Sequence, residues 1–157
     1  MTELKQLRLS KNLSQKDVAD RIGISLRSYI SYENDESKKG NIKYRYLLRE
    51  LEQMDRIDEE HGLLTKEEIV ARCTGILSQY KVEFCYLFGS YAKGKATETS
   101  DVDLLISTDV TGLKYYELAE RLRESLCKKV DLLDVGQLLG NEQLLKEVLK
   151  EGIRIYG

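Results

Sequence analysis

The sequence predicts an α+β chain in which an all-α domain, residues 1–61, precedes a domain with a small mixed sheet and helices packed on it, residues 62–157. Apolar residues recur at helical spacing as far as Met54. From Val82 onward, short apolar runs rich in branched and aromatic residues alternate with helical patterns, which is typical of a sheet covered by helices. Gly62 follows an acidic segment and is the expected boundary between the two domains.

The composition excludes several classes of protein. Hydrophobic residues make up 41% of the 157 residues, which is enough for packed cores, and no apolar run approaches the ~20 residues of a membrane span. No signal peptide is expected. Cys73, Cys85 and Cys127 are widely spaced in apolar contexts, so we expect reduced core thiols in a cytoplasmic protein rather than disulfides or a zinc site.

The N-terminal helices have clear start and stop signals. Ser14 begins the second helix, because its hydroxyl can cap the free amides and Asp17 completes a capping box. Gly23 ends that helix, and Ser25 caps a third one that runs to about Glu33. A short helix, a glycine turn and another short helix have the spacing of a helix-turn-helix.

Residues 3 to about 55 resemble the phage-repressor (XRE) family. The resemblance is carried by Leu13-Ser14-Gln15-Lys16-Asp17-Val18-Ala19, by Gly23-Ile24-Ser25 and by the closing pair Glu33-Asn34. It implies that Gln15 contacts the DNA backbone, and that Arg27, Ser28 and Ser31 of the third helix approach phosphates and base edges of operator DNA. Repressor-like domains bind paired half-sites as dimers, so a homodimer is expected.

Charge is distributed unevenly along the chain. Residues 1–49 carry eleven Lys/Arg and six Asp/Glu, a net charge of +5, whereas residues 50–61 carry one Arg and six Asp/Glu, a net charge of −5. A basic module followed by an acidic connector suits a domain that faces nucleic acid. The alternative is a helical domain used for dimerisation or for contact with a partner.

Further helices and strands follow from caps and periodicity. Asn41 is expected to cap a helix whose buried face consists of Tyr44, Leu47, Leu48, Leu51 and Met54. Thr65 and Glu68 are expected to form a capping box at the start of another helix. The buried face of that helix is expected to consist of Ile69, Val70, Cys73, Ile76, Leu77 and Tyr80. Later elements are expected as a strand over 82–88, a helix over 112–126, a strand over 129–135, a helix over 138–149 and a strand over 153–156. His61, the only histidine, is expected at the surface.

The stretch from Phe88 to Ile106 carries the chemistry. Gly89 ends a buried strand, lets the backbone turn sharply and allows a ligand to approach closely, and the Ser90 hydroxyl can bind a phosphate oxygen. Asp101 and Asp103 are two residues apart at the start of the next strand, so we expect them on one face. Two such carboxylates repel unless a cation lies between them, and hard oxygen ligands indicate Mg²⁺.

These residues resemble the DNA polymerase β-like nucleotidyltransferases, in particular the minimal MNT-type branch. The resemblance is carried by Phe88-Gly89-Ser90-Tyr91-Ala92-Lys93-Gly94 and, after a ten-residue spacing, by Ser100-Asp101-Val102-Asp103-Leu104-Leu105-Ile106. It implies two Mg²⁺ ions held by Asp101, Asp103 and a third carboxylate, and ATP phosphates held by Gly89, Ser90 and Lys93. Arginine is usual in the family where Lys93 stands.

The third carboxylate is placed on Asp131, in the run Lys129-Val130-Asp131-Leu132-Leu133-Asp134. Asp134 is the alternative. Because Asp134 lies three residues further along the strand, its side chain is expected on the opposite face.

MNT-type chains resemble the antitoxins of HEPN/MNT toxin–antitoxin pairs. That resemblance implies transfer of AMP from ATP to a tyrosine of a HEPN ribonuclease toxin, and repression of the operon by the helix-turn-helix domain. A hetero-oligomer with the partner toxin is the alternative to the homodimer. Only 26 residues follow Asp131, so we expect a large acceptor that brings its own surface. The alternatives are a transcriptional regulator whose second domain only senses nucleotide, and a small-molecule nucleotidyltransferase.

Overall fold

The computed structural model describes residues 1–157 and divides into two compact units, Met1–Arg56 and Ile57–Gly157. The first unit contains α1 (Glu3–Ser10), α2 (Gln15–Ile22), α3 (Leu26–Asn34) and α4 (Ile42–Gln53), with a short 3₁₀ turn at Glu36–Lys38. Ser14 and Asp17 form the expected capping box, and Gly23 ends α2 with a φ of +81°. The predicted all-α start of the chain is confirmed.

A buried ion pair lies in the core of this helical unit. Arg8 donates from Nε to Glu33 Oε2 and from a terminal nitrogen to Glu33 Oε1, both at 2.8 Å. Burial acts to raise the pKa of Glu33, but hydrogen bonds from Arg8 and Gln15 outweigh it and lower that pKa. The pair therefore joins α1 to α3 inside an otherwise apolar core made of Leu4, Val18, Ala19, Tyr29, Tyr44, Leu47 and Leu51.

The second unit is a four-stranded mixed sheet with helices packed on it, as the sequence predicts, and the helices cover both faces. Its elements are α5 (Lys66–Leu77), β1 (Val82–Phe88), α6 (Gly89–Ala92), β2 (Val102–Thr108), α7 (Leu113–Leu126), β3 (Val130–Asp134), α8 (Val135–Leu138), α9 (Glu142–Glu151) and β4 (Ile153–Tyr156). The strand order is β3-β2-β1-β4, with β2 and β3 parallel and the other pairs antiparallel.

Alternation along the strands divides the apolar residues between two layers. Cys85 and Leu87 of β1 pack with the buried faces of α5 and α7, whereas Phe88 packs with Leu138 of α8 and Val148 of α9. The carboxyl end of β1 and the amino ends of β2 and β3 meet at one edge of the sheet. Asp101, Asp103 and Asp131 lie at that edge.

Three sequence predictions are wrong in detail. The helix expected over 138–149 begins only at Glu142 and runs to Glu151, because Leu138 ends the separate short helix α8 and Asn141 caps α9 by accepting a hydrogen bond from Leu144 N at 3.0 Å. Cys127 is exposed with a φ of +55° where α7 ends, rather than in the core. Val70 is exposed rather than on the buried face of its helix.

Cys73 is buried, and burial raises the pKa of its thiol to about 12, so it is an inert core residue. No helix in the structure combines the length and apolarity needed to cross a membrane.

Candidate active site

Gly89 and Asp103 lie in close contact at the edge of the sheet. Gly89 follows β1 with a φ of +70°, a backbone conformation that favours glycine. A Cβ placed there would overlap the Asp103 carboxylate and lie 2.9 Å from its Cγ. The structure therefore requires glycine at position 89 both for the turn and for the space that the aspartate occupies.

The strand register brings two of the predicted aspartates side by side. Asp103 of β2 pairs with Phe88 of β1 on one side and with Asp131 of β3 on the other. Adjacent strands lie about 4.8 Å apart, and paired residues point to the same face. Asp101 lies immediately before β2, and its charge acts on Asp103. The three carboxylates therefore share one corner of the sheet, which we call the aspartate corner.

The aspartate corner places the carboxyl group of Asp103 close to other negative charges. Asp103 is half-buried, whereas Asp101 and Asp131 are exposed. Burial, followed by the negative charges of Asp131, Asp101 and Glu147, raises the pKa of Asp103 to about 6, and the charge of Lys93 partly opposes this shift. Without a cation, the corner therefore holds more negative charge than its environment favours.

A family comparison agrees with this geometry. Residues 71–157 match the family model described as Polymerase beta, Nucleotidyltransferase. The chain belongs to this nucleotidyltransferase family. Residues 4–43 separately match a helix-turn-helix model.

Relatives of this nucleotidyltransferase are named as protein adenylyltransferases. A proposed protein adenylyltransferase of Methanocaldococcus jannaschii is 42% identical over 72 residues, which cover 43% of this chain and 72% of the relative. The protein adenylyltransferase MntA of Thermococcus cleftensis is 34% identical over 100 residues, covering 60% of this chain and 99% of the relative. A crystal structure of a toxin–antitoxin with AMP-PNP overlaps 60% of this chain and 74% of that chain, at 28% identity and a TM-score of 0.47.

The donor atoms of the aspartate corner fit a magnesium ion. Carboxylate oxygens are the hard ligands that Mg²⁺ prefers. Burial, followed by the charges of the neighbouring carboxylates, raises the pKa of Asp103, and a cation beside it would favour the charged carboxylate. No group of three or more His, Cys, Asp or Glu side chains is arranged so that it could hold a metal ion. Mg²⁺ in nucleotide enzymes keeps waters and substrate phosphates among its ligands, so an open, partial set of carboxylates suits it.

The remaining predicted nucleotide-binding residues follow Gly89 directly. Ser90 lies in α6 and accepts a backbone hydrogen bond from Lys95 N at 2.9 Å through its carbonyl oxygen. Lys93 comes just after α6, and its Nζ lies 2.7 Å from Glu147 Oε1 of α9. Glu147 is not among the residues predicted from the sequence. It lies on α9 between Leu144 and Val148, which pack against the layer that contains Phe88.

Lys128 is a second residue of this region that was not predicted from the sequence. Its side chain is fully buried, and Nζ donates to the carbonyl oxygens of Glu98 at 2.6 Å and His61 at 3.1 Å. Glu98 lies in the segment that joins Ser90 to Asp101, so Lys128 ties this connector to the chain that precedes α5. The sequence feature that could have indicated Lys128 is its position directly before the apolar strand predicted over 129–135.

Asp134 lies at the far end of β3 from the aspartate corner. It pairs with Ile106 in the register, and its carboxylate caps α8 by accepting from Gly136 N at 3.1 Å. Three residues along a strand span about 10 Å. The structure therefore brings Asp131 to Asp103 and leaves Asp134 engaged as a helix cap.

The four predicted DNA contacts all lie on α2 and α3 of the first unit. Arg27 is exposed and Ser28 is partly exposed in the first turn of α3, where both can face solvent. Gln15 Nε2 donates to Glu33 Oε1 at 3.0 Å, and the hydroxyl of Ser31 accepts a hydrogen bond from Lys38. Arg27 is thus the exposed basic residue of the set.

Proposed function

We propose that this nucleotidyltransferase transfers AMP from ATP to a tyrosine of a partner HEPN-type ribonuclease toxin, with two Mg²⁺ ions, and so acts as the antitoxin of the pair. The observation that carries the proposal is the aspartate corner beside Gly89, in which Asp103 and Asp131 are register partners. Family membership and the relatives named as protein adenylyltransferases support the choice of reaction.

Binding of the triphosphate is assigned to the turn after β1. Because residue 89 has no side chain, the nucleotide can approach the backbone there, and the Ser90 hydroxyl donates to a phosphate oxygen. Lys93 neutralises the charge that develops on the leaving pyrophosphate. Mg²⁺ held by Asp101, Asp103 and Asp131 would add positive charge at the reacting phosphate and at the leaving group.

The transfer itself is a substitution at the α-phosphorus of ATP. The tyrosine oxygen forms a bond to that phosphorus as the bond to the bridging oxygen of the β-phosphate breaks, so AMP stays on the tyrosine and pyrophosphate leaves. Asp131 is exposed and accepts the proton of the attacking hydroxyl, from where it passes to water. Positioning and electrostatic stabilisation supply most of the rate.

The two aspartates of β3 offer a matched test. With labelled ATP, Mg²⁺ and a HEPN-type toxin encoded beside this chain, Asp131→Asn is expected to reduce AMP transfer at least a hundredfold, whereas Asp134→Asn retains it. Equal loss in both variants, with both folded, would reject Asp131 as the third carboxylate. Labelling of a small molecule and of no protein would favour the small-molecule nucleotidyltransferase.

We also propose that the N-terminal unit binds operator DNA and represses the operon that encodes the pair. The match of residues 4–43 to a helix-turn-helix model and the exposed Arg27 at the start of α3 support this role. Arg27→Ala is expected to weaken operator binding about tenfold or more, whereas Arg49→Ala, an exposed change of the same charge on α4, has little effect. Affinity that does not fall with rising salt would contradict direct DNA binding.

A further inference from the structure

Lys93 and Glu147 form an ion pair beside the aspartate corner. Lys93 Nζ lies 2.7 Å from Glu147 Oε1, and the two side chains are 31% and 32% exposed. Glu147, followed by the charges of Glu151 and Asp103, raises the pKa of Lys93. The lysine assigned to the phosphates therefore already has an anionic partner.

Glu147 is held in place by the packing of its helix. Leu144, Leu145 and Val148 of α9 pack against the sheet layer that contains Phe88, and Asn141 caps the start of the helix. The Glu147 carboxylate is also close enough to the aspartate corner for its charge to raise the pKa of Asp103. Its contact with Lys93 is thus a feature of the folded unit rather than of a freely moving surface chain.

We propose that Glu147 competes with the triphosphate of ATP for Lys93, and thereby sets the affinity of this site for nucleotide. The inference rests on the proposed function, because it takes Lys93 as a phosphate ligand. When nucleotide binds, Lys93 exchanges the Glu147 carboxylate for phosphate oxygens, and Glu147 is left without its cation. A partly exposed pair is weak enough to be displaced, but its loss still reduces the net gain on binding.

Removing the competing charge should therefore tighten nucleotide binding. Glu147→Gln keeps the size of the side chain and is expected to lower the dissociation constant for MgATP about three- to tenfold, an effect that shrinks at high salt. Glu142→Gln is the matched control, because Glu142 forms an ion pair on the same helix with Lys146, at 3.3 Å and exposed to solvent. The control is expected to leave the dissociation constant unchanged.

A double-mutant cycle distinguishes competition of Glu147 for Lys93 from direct repulsion between Glu147 and the triphosphate. In the full-length chain carrying Lys93→Met, no cation is exchanged, so the gain from Glu147→Gln is expected to fall to twofold or less. Binding is measured by calorimetry with MgATP, and thermal unfolding confirms that each variant is folded.

Each outcome bears on the inference separately from the proposed function. Tighter binding that depends on Lys93 supports competition. Unchanged binding, weaker binding, or an equal gain with and without Lys93 overturns it, while the nucleotidyltransferase assignment stands as long as the wild-type chain binds MgATP. If the wild-type chain binds no MgATP, both the inference and the proposed function fail.

Discussion

Asp103→Asn should stabilise the second unit while it abolishes transfer. The carboxyl of Asp103 has a pKa of about 6 in the folded chain, against an ordinary value of 3.8, because it is half-buried among other carboxylates. At 1.36 kcal/mol per pKa unit, that shift of about two units corresponds to an unscreened penalty of about 3 kcal/mol. Screening at a half-exposed group reduces it to about 1–2 kcal/mol.

The direction of the pKa shift determines the pH range in which Asp103→Asn is more stable than the wild-type chain. Because the pKa of Asp103 is raised on folding, the penalty is fully present above pH 6, decreases as the pH falls from 6 to 3.8, and is lost below 3.8, where the carboxyl is protonated in both states. Asp103→Asn is therefore expected to be about 1–2 kcal/mol more stable than wild type at pH 7.5 and equally stable at about pH 3. In a unit of this size, 1 kcal/mol corresponds to about 4–8 °C in Tm.

The assay is urea unfolding in EDTA at a series of pH values, followed by circular dichroism. Asp109→Asn is the control, since Asp109 is exposed just beyond the other end of β2. Added Mg²⁺ is expected to raise the Tm of the wild-type chain and to have a smaller effect on Asp103→Asn. Equal stability at pH 7.5, or a gain that does not change with pH, would refute the explanation that burial and neighbouring carboxylates destabilise the ionised Asp103.

Three further substitutions test other parts of the structure. Gly89→Ala is expected to destabilise the unit by about 1–3 kcal/mol and to weaken nucleotide binding, because the new methyl group strains the backbone and overlaps Asp103; unchanged urea unfolding would contradict this. Lys128→Met removes the charged donor that two backbone carbonyl groups share and should cost about 1–3 kcal/mol, measured in the same way. Glu33→Ala leaves the Arg8 charge buried and should destabilise the helical unit by about 3–5 kcal/mol, with proteolysis of that unit as the readout.

Features that depend on neighbouring residues could be predicted from the sequence. The capping boxes at Ser14 and Thr65 were predicted because a cap and its partner are three residues apart and act locally. The strand Val82–Phe88 has the predicted bounds, because a long apolar run ends at a glycine that must turn. The helix over 138–149 was wrong because its apolar periodicity continues across a turn, which the pair Gly140-Asn141 marks.

Features that depend on distant residues could not be predicted. Lys93 and Glu147 are 54 residues apart, and nothing in their local sequence indicates that α9 packs beside α6. The raised pKa of Asp103 likewise requires the parallel pairing of β2 with β3, which places Asp131 opposite it. The motif identified the candidate residues, whereas their electrostatic coupling is a property of the assembled sheet.

The most direct test of the account is the intact mass of the partner toxin after incubation with the wild-type chain, ATP and Mg²⁺. We expect the toxin to gain the mass of one or more AMP groups, and to gain none with a chain that carries both Asp101→Asn and Asp103→Asn. A toxin that stays unmodified beside a folded wild-type chain with bound nucleotide would contradict the proposed transfer. A toxin modified equally by the double variant would contradict the aspartate corner as its site.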